Sequence, residues 1–343
     1  MIVKTLPLDQ ALSRLNLPDL NRTLFSSPRW LDVIVKTYGT HFEVKYIEEG
    51  GEVVSYLIYS VVRNFLEWKI CMASYCDYCD AYGMTSERWR VMFQALRDDY
   101  PEYRIALRNL RDRSARESGV FQELSREWFH QLDTTPSITE LWKKAHASYK
   151  AAVNQAVRKG VTSRICGKED LPKFYDAHLH VRKDKYRIFP QPYLFFENIW
   201  DTYMTEQKGF LLGAFDPDGE FIGANIYLVC GDTLYYKFNT SRMEGLRFRP
   251  NNFLFWEGVK LAKELGLNAI DLGSSGLNQS GLIRFKEHAG AHRQPIVHLG
   301  YHPPGYKFSQ KRILRWYTGI MTRNWMPDTA VRWGSRVIYP YLA

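Results

Sequence analysis

Residues 210–238 read FLLGAFDPDGEFIGANIYLVCGDTLYYKF, three apolar runs separated by two short polar turns. The turn sequences, Asp216-Pro217-Asp218-Gly219 and Gly231-Asp232, are typical of tight connections between neighbouring strands. The stretch therefore predicts a three-stranded meander, in which each strand pairs with the next one along the chain. The predicted strands are residues 210–215, 221–229 and 233–238.

The residues on either side of this meander complete one structural unit. A helical pattern covers residues 193–206, and Gly209 follows its end. After the meander come a second helix at 252–265, which Gly266 ends, and a short strand at 269–272. The predicted order is helix, meander, helix and strand.

The same order of elements occurs once earlier in the chain. Ser26-Ser27-Pro28 is a helix start signal, and Gly39 ends that helix. The two meanders start at residues 41 and 210, and the two closing strands start at 103 and 269, so both copies have similar internal spacing. The sequence thus predicts an α/β (α+β) protein with two tandem domains, each a mixed, largely antiparallel sheet flanked by helices. The other elements of the first copy are strands at 41–48, 53–62 and 66–73, a helix at 86–98 and a strand at 103–107.

Length and composition agree with two globular domains. At about 150 residues per domain, 343 residues predict two, at 1–135 and 136–304, followed by a basic aromatic tail at 305–343. The net charge of +9 favours anionic partners. No apolar run reaches the roughly 18 residues of a spanning helix, and no signal peptide is recognisable. The odd number of cysteines, five, favours free thiols in the cytoplasm.

A basic helix is predicted between the two copies. Ser137 and Glu140 form a capping box at its start, and Gly160 ends it. Its basic side chains, Lys150 among them, form either a solvated outer face or a surface that faces phosphate groups.

The tail after residue 305 is both basic and aromatic. It interleaves Trp316, Trp325 and Trp333 with seven Lys and Arg residues, against the single acid Asp328. Such a segment either contacts an anionic membrane or RNA, or packs its aromatic side chains on the body of the protein.

Motifs between residues 22 and 300 carry a family resemblance. They are Ser26-Ser27-Pro28-Arg29-Trp30-Leu31 with Tyr38-Gly39, Ala156-Val157-Arg158-Lys159-Gly160-Val161, Arg249-Pro250-Asn251-Asn252 with Trp256-Glu257, Asp271-Leu272-Gly273-Ser274, and Arg284-Phe285-Lys286 with Gly290. In this order they resemble the Fem-type tandem GNAT acyltransferases, which are peptidoglycan aminoacyl transferases and relatives from polysaccharide-biosynthesis operons.

The resemblance implies an activity. A Fem-type or GNAT enzyme moves an acetyl or aminoacyl group from acyl-coenzyme A, such as acetyl-coenzyme A, or from aminoacyl-tRNA. The acceptor is an amine of a cell-envelope sugar, a nucleotide-sugar or a peptide precursor. Such an enzyme works in the cytoplasm, and the tail suggests a peripheral position at the inner face of the membrane. Acyl-coenzyme A is the first expectation for the donor.

The resemblance also implies where the donor binds. In a GNAT unit, the turn after the fourth strand presents backbone N–H groups and a helix N-terminus to a pyrophosphate. Arg242-Met243-Glu244-Gly245-Leu246-Arg247 is similar to the family loop, except that Arg247 replaces a small residue. This arginine either blocks close approach of the backbone or supplies a charge for a different anion. The candidate donor-binding residues are Asn239, Arg242, Gly245, Arg247, Asn251 and Asn252.

Three residues are candidates for the chemistry. The matching lysine of Fem-type enzymes implies that Lys286 faces the acyl carrier and offsets its negative charge. Asp271 ends an apolar strand beside a Gly/Ser loop, where a carboxylate either removes a proton or holds the loop. Tyr236 either donates a proton to the leaving group or packs in the core. Glu257 and His288 are weaker candidates for the base.

Candidate contacts to the acceptor are spread along the chain. Lys150 lies on the basic helix, Ser274 lies beside Asp271, and Tyr82 belongs to a segment of the first copy that resembles an acceptor-pocket lining. A metal site is not expected, since Cys76 and Cys79 lack a second ligand pair at zinc-finger spacing. The main alternative function is a non-catalytic GNAT-like protein that binds RNA, a nucleotide-sugar or a polysaccharide-assembly partner.

Overall fold

The computed structural model describes residues 1–64, 67–72, 74–306 and 311–342, with the backbone alone at residues 311–315 and 342. Contacts divide the chain into two compact units. The first contains Met1–Glu127, Gln294–Leu314 and Pro340–Ala343, and the second contains Trp128–Arg293 and Arg315–Tyr339. Each unit is therefore built from separate stretches of the chain.

Strands β1 to β12 occur in the described residues. They are β1 (Ile2–Pro7), β2 (Phe42–Glu49), β3 (Glu52–Arg63), β4 (Trp68–Cys71), β5 (Arg104–Asn109), β6 (Gln122–Asp133), β7 (Thr162–Ile165), β8 (Gly209–Phe215), β9 (Phe221–Cys230), β10 (Thr233–Ser241), β11 (Ala269–Gly276) and β12 (His292–Tyr301).

The helices connect and cover these strands. They are α1 (Leu8–Arg14), α2 (Pro28–Tyr38), α3 (Ser86–Asp99), α4 (Ser114–Glu117), α5 (Ile138–Lys144), α6 (Ala147–Arg158), α7 (Leu171–His180), α8 (Tyr193–Ile199), α9 (Pro250–Glu264), α10 (Ser280–His288), α11 (Lys311–Met321) and α12 (Asp328–Ile338). Short 3-10 turns lie at Leu20–Arg22, Leu24–Ser26, Lys168–Asp170, Glu244–Phe248 and Tyr339–Leu342, and π-helical turns at Val181–Tyr186 and Trp200–Met204.

The sheet of the first unit has the order β1-β2-β3-β4-β5-β12. Its neighbouring strands are antiparallel except β4 and β5, which are parallel. Helix α3 buries Trp89, Met92 and Leu96 in the core of this unit, because residues three and four apart share one helix face. Predicted start and stop signals also hold: Ser27 caps α2, and Gly39 ends it at φ 65°.

The sheet of the second unit runs β11-β10-β9-β8-β7. Its strands are antiparallel except for the parallel pair β10 and β11. Helix α9 lies against this sheet and contacts α6, so it is buried on most of its circumference, through Phe253, Leu254, Phe255 and Val259. The predicted fold class, mixed and largely antiparallel sheets flanked by helices, is confirmed.

The helix predicted over residues 137–160 is instead two helices. The capping box at Ser137 and Glu140 is present and begins α5. The chain then extends at Ala145, where ψ is 141°, and α6 begins beyond His146. The backbone N–H of His146 donates to the carbonyl of His288 at 2.9 Å, so a contact with the end of α10 fixes the break.

Other elements differ from the sequence prediction at edges and ends. Periodicity gave no signal for the strands β1, β6, β7 and β12 or for the helix α7. The helix predicted at 193–206 changes to π-helical turns after Ile199. The strand predicted at 66–73 is present as the shorter β4, and residues 65, 66 and 73 lie outside the described residues.

One close approach holds α9 on the sheet. A Cβ added at Gly258 would lie 2.0 Å from the hydroxyl oxygen of Tyr227, a residue of β9. The helix can therefore pack at this distance only because residue 258 has no side chain.

We predict that Gly258→Ala lowers the free energy of unfolding by about 1–3 kcal/mol, because the methyl group overpacks a buried contact. Gly281→Ala is the matched control, since nothing lies within 4 Å of a Cβ at that helical position. It should leave stability unchanged or raise it by up to about 1 kcal/mol. Urea unfolding measures both variants, and equal stabilities would refute the packing argument.

Candidate functional site

The parallel strands β10 and β11 pair over only a short distance. Residues 233–235 pair with residues 269–271, and the last partners are Tyr235 and Asp271. Strand β10 then continues against β9 as far as Ser241, with a register shift between Tyr236 and Phe238. A β-bulge bends a strand and increases its twist. The two strands thus part directly after Asp271, so the backbone of β10 beyond Tyr235 is not paired with β11.

A chain of polar side chains follows the bulge. Asn239 donates from Nδ2 to Oδ1 of Asn225 at 2.6 Å and to Oδ1 of Asn251 at 3.1 Å. Asn225 donates to the Tyr227 hydroxyl at 3.1 Å, and that hydroxyl donates to the carbonyl of Leu254 at 3.2 Å. These bonds join the end of β10 to β9 and to the first turns of α9. Two of the predicted donor-binding residues, Asn239 and Asn251, are therefore in direct contact.

The N-terminus of α9 lies at the same end of the unit. Arg249 precedes the helix in the left-handed conformation, at φ 61°, and Pro250 is its first residue. No side chain of the described residues caps this helix, and its first turn holds no acid. Free N–H groups and the positive end of the helix dipole make such a terminus suitable for an anion.

The loop before α9 carries two positively charged side chains, Arg242 and Arg247. Gly245 is buried, and a Cβ there would lie only 2.7 Å from the Cβ of Ile222, so this position has no room for a side chain. The guanidinium of Arg242 lies 5.8 Å from the ring centre of Phe221, and that of Arg247 lies 4.8 Å from the ring of Phe248. All six predicted donor-binding residues thus lie between the end of β10 and the first turn of α9.

Lys286 is buried, with 2% of its surface exposed. Its ammonium donates to the carbonyls of Gly273 at 3.1 Å and Ser274 at 2.9 Å, and to the Ser275 hydroxyl at 2.8 Å. Three acceptors match the three N–H donors of a lysine. In this arrangement the lysine holds the end of β11, so it acts on the site through the backbone of that strand.

Asp271 and Tyr236 lie where β10 and β11 part, but on opposite faces of the sheet. The neighbours of Asp271, Ile270 and Leu272, belong to the core beneath α9, so alternation directs Asp271 to the other face. Its Oδ1 accepts from the N–H of Gly273 at 2.7 Å, which supports the loop-holding alternative.

Tyr236 packs on the α9 side of the sheet. Its ring centre lies 5.6 Å from that of Tyr227 and 5.4 Å from that of Phe255. Burial raises the pKa of Tyr236 above its ordinary value, so its hydroxyl stays protonated at neutral pH and can only donate its proton.

The predicted acceptor contacts fall in different units. Lys150 lies on α6 and Ser274 on β11, both in the second unit. Tyr82 lies in the first unit, where its ring stacks on Tyr56 at 5.2 Å and lines a small pocket with Cys79. The other two proton-acceptor candidates have nearby partners. Glu257 accepts from Lys260 at 2.6 Å, and His288 contacts Ser148.

A histidine pair that the sequence analysis missed joins α6 to α10. The rings of His146 and His288 stack with centres 4.0 Å apart. The Ser148 hydroxyl lies 2.8 Å from Nδ1 of His146 and 3.0 Å from Nδ1 of His288. Burial, His146 and Arg284 lower the pKa of His288. No sequence signal marks this junction, because the helical pattern runs through His146 without a break.

A second histidine that the sequence analysis missed, His130 on β6, is fully buried. Burial and the positive charges of Lys286 and Arg293 lower the pKa of His130 to about 4. The imidazole is therefore neutral at physiological pH, and protonating it would place a second positive charge near Lys286.

Three further features bear on the kind of site: metal-ligand clusters, cysteines and membrane-spanning helices. In the described part of the chain, no group of three or more His, Cys, Asp or Glu residues is arranged to hold a metal ion. None of the five cysteines, all in the described part of the chain, forms a disulfide, and all but Cys230 are buried. Of the helices that the structure describes, none has the length and apolar character needed to cross a bilayer.

Lys286→Met should lower the free energy of unfolding by about 1–3 kcal/mol, because three buried acceptors lose their donor. Arg284→Met, which removes an exposed charge two residues away, is the control and should change stability by less than about 0.5 kcal/mol. Denaturant titration of both variants decides the matter. Wild-type stability of Lys286→Met would contradict the role in holding β11.

The stability of the second unit should fall as the pH is lowered between the ordinary pKa of His130 and its pKa in the folded chain. Its pKa is lower in the folded chain, about 4, than its ordinary value of 6.5. The unfolded chain thus binds more protons between these values, and stability present above pH 6.5 is lost as the pH falls. Urea unfolding near neutral and acidic pH should show a smaller loss for His130→Leu. A variant of the exposed His292, His292→Leu, should lose as much as the wild type.

Comparisons with known proteins agree with this geometry. Residues 143–286 match the acetyltransferase (GNAT) domain family. The matched segment runs from α5 through the opening between β10 and β11 and ends at Lys286. A comparison with curated proteins gives no significant match.

Solved structures show the fold over nearly the whole chain. FemX superposes with a TM-score of 0.63 at 14% identity, covering 92% of this chain and 100% of that one. The protein L-PGS from Bacillus licheniformis gives 0.53 at 15% identity, with coverages of 87% and 98%. A tandem GNAT protein from the clavulanic acid biosynthesis pathway gives 0.53 at 11% identity, with coverages of 89% and 100%. The chain thus has the tandem GNAT fold, as its motifs predict.

Proposed function

We propose that this protein is an acyltransferase whose second unit binds an acyl donor and passes the acyl group to an amine. One observation carries the proposal: β10 and β11 part after three residue pairs, and Asn239 near the end of β10 bonds Asn251 in the uncapped first turn of α9. In a sheet of hydrogen-bonded strands, such a gap exposes backbone N–H groups, which can bind the carbonyl and amide oxygens of a ligand.

The first donor that we propose is an acyl-coenzyme A, with acetyl-coenzyme A as the simplest case. Its pyrophosphate needs N–H donors and positive charge, and the α9 terminus, Arg242 and Arg247 supply both. Bound there, a thioester supplies the activated acyl carbon. Because Arg247 is exposed and lies against Phe248, it is free to turn toward a phosphate instead of blocking the loop.

Aminoacyl-tRNA is the second donor candidate. Lys159 donates to the carbonyl of Arg247 at 2.7 Å, which brings another cation to the same loop. With Arg158 and Arg249 also exposed, the charge around this terminus exceeds what a single pyrophosphate needs. A larger polyanion such as tRNA would use the excess.

The side chains around the opening have distinct proposed roles. Tyr236, which is protonated at neutral pH, is the proposed hydrogen-bond donor to a leaving group. Lys286 and Asp271 hold the backbone between Gly273 and Ser275 in place. Lys150 and Ser274 are the proposed contacts to the amine substrate, and Tyr82 a contact in the first unit. The substrate amine itself must lose a proton, to water or to an anion on the substrate.

The acceptor that we propose is the amine of a cell-envelope sugar, nucleotide-sugar or peptide precursor, used in the cytoplasm. The excess of basic side chains supports an anionic acceptor, since a positive surface raises the local concentration of such a molecule. The alternative is a protein that binds RNA, a nucleotide-sugar or an assembly partner without chemistry. The chain of bonds from Asn251 to Leu254 that fixes the opening favours the enzyme.

We predict micromolar binding of acetyl-coenzyme A in calorimetry at moderate salt. Arg242→Ala and Arg247→Ala should each weaken binding about tenfold, the loss of one charge-assisted contact to phosphate. Arg14→Ala, an exposed arginine of the first unit, is the control and should bind as the wild type.

The other outcomes separate the alternatives. If acetyl-coenzyme A does not bind at high concentration, the coenzyme A proposal fails, and charged tRNA is compared with uncharged tRNA by fluorescence anisotropy. A clear preference for charged tRNA supports the aminoacyl donor. Absence of binding to either donor, with a folded protein and no transfer to amines, supports the non-catalytic alternative.

A further inference from the structure

The two C-terminal helices are docked on the second unit by one apolar face. Met321 and Val331 are buried against Phe189, with Tyr317 and Met326 packed beside them. The fit is close, because a Cβ at Gly334 would lie 3.0 Å from both Met321 and Phe189. This face of the helix pair is therefore used inside the unit.

Polar bonds fasten the same helix pair. Lys183 donates to the carbonyl of Met326 and to Oδ1 of Asp328, both at 2.7 Å. Arg187 donates to the carbonyl of Thr322 at 2.7 Å and to Oδ1 of Asn324 at 2.6 Å. Lys183 is buried, so its two acceptors are required partners. The segment from α11 to α12 is thus held in a defined orientation.

The solvent-exposed surface of the segment from α11 to α12, here called its outer face, carries three tryptophans, with Trp325 in the turn between the two helices. Trp316, Trp325 and Trp333 are 68%, 70% and 64% exposed. They are the most exposed tryptophans of the described residues, whereas Trp30 and Trp89 are completely buried. Val337, one helical turn after Trp333, is also 43% exposed. Exposing so much aromatic surface is unfavourable in water, so this face is suited to a partner that covers it.

The charge of this face is positive. Arg323 and Arg336 are exposed on the same segment as the tryptophans, whereas Arg332 forms an ion pair with Asp176 of α7. The one acid of the segment, Asp328, is neutralised by Lys183 at 2.7 Å and lies 3.6 Å from His180. A partner that complements this surface therefore has negative charge above an apolar layer.

We propose that α11 and α12 dock the protein on the surface of a bilayer that contains anionic phospholipid. Tryptophan is the side chain that prefers the boundary between headgroups and acyl chains, because its ring is apolar and its N–H still needs a polar partner. Arginines at the same level attract anionic headgroups. The helices lie on the membrane and do not cross it, which agrees with their length of 11 residues each.

A bilayer fits this surface better than a nucleic acid does. Single-stranded RNA is bound in a positive groove in which aromatic rings stack on successive bases. Here the tryptophans stand with Val337 and Pro327 on the outer face of a docked helix pair, and an aliphatic side chain gains little from a phosphate backbone. Burial in the acyl boundary covers both the aromatic and the aliphatic surface.

The test uses the full chain and flotation with vesicles. Wild-type protein should float with vesicles of phosphatidylglycerol and phosphatidylcholine and much less with pure phosphatidylcholine. The triple variant Trp316→Ser, Trp325→Ser, Trp333→Ser should lose at least about tenfold in affinity, because each buried aromatic ring contributes to binding. Arg323→Glu with Arg336→Glu should lose a similar factor, and raised salt should weaken the wild type.

Matched variants guard against general effects. Leu124→Ser with Leu265→Ser removes exposed apolar surface elsewhere, and Arg14→Glu with Arg113→Glu makes the same charge change elsewhere. Both controls should float like the wild type, and thermal melting confirms that every variant is folded. Equal flotation of the tryptophan variant and wild type would overturn the proposal. Binding of polyuridine that the tryptophan variant loses, without flotation of the wild type, would overturn it in favour of RNA.

Discussion

The short pairing of β10 with β11 is the constraint on which the rest of the second unit depends. Two parallel strands that stay together bury their N–H and C=O groups in each other, and no ligand can reach them. Here the pairing stops at Tyr235 and Asp271, and a register shift follows in β10. The opening has a cost in lost hydrogen bonds, so the surrounding residues must hold each strand separately.

Buried polar groups provide that support on both sides of the opening. On one side, Asn225, Asn239 and Tyr227 tie β10 to α9, and Gly258 lets that helix approach the sheet. On the other side, the ammonium of Lys286 holds the carbonyls at the end of β11. A buried charge is stable only when its donors are all used, so this lysine and this strand end must be placed together.

The terminal helices α11 and α12 carry apolar side chains on two sides, one buried and one exposed. An amphipathic helix normally buries one stripe and exposes a polar one. In α11 and α12 the stripe that contains Met321 and Val331 is buried, while the opposite side still carries Trp316 and Trp333. The donor site and the bilayer surface that we propose thus belong to the same compact unit.

The sequence by itself determined the order of elements, because turns such as Asp216-Pro217-Asp218-Gly219 and caps such as Ser27 and Ser137 act within a few residues. Its motifs also predicted the fold and a candidate donor-binding loop. Only the tertiary structure decided the break at His146, the partners of Lys286 and the burial of His130, because each depends on residues distant in the chain. It likewise decided that the tail packs through Met321, Val331 and Tyr317 and exposes its tryptophans, since one periodic pattern fits both faces of an amphipathic helix.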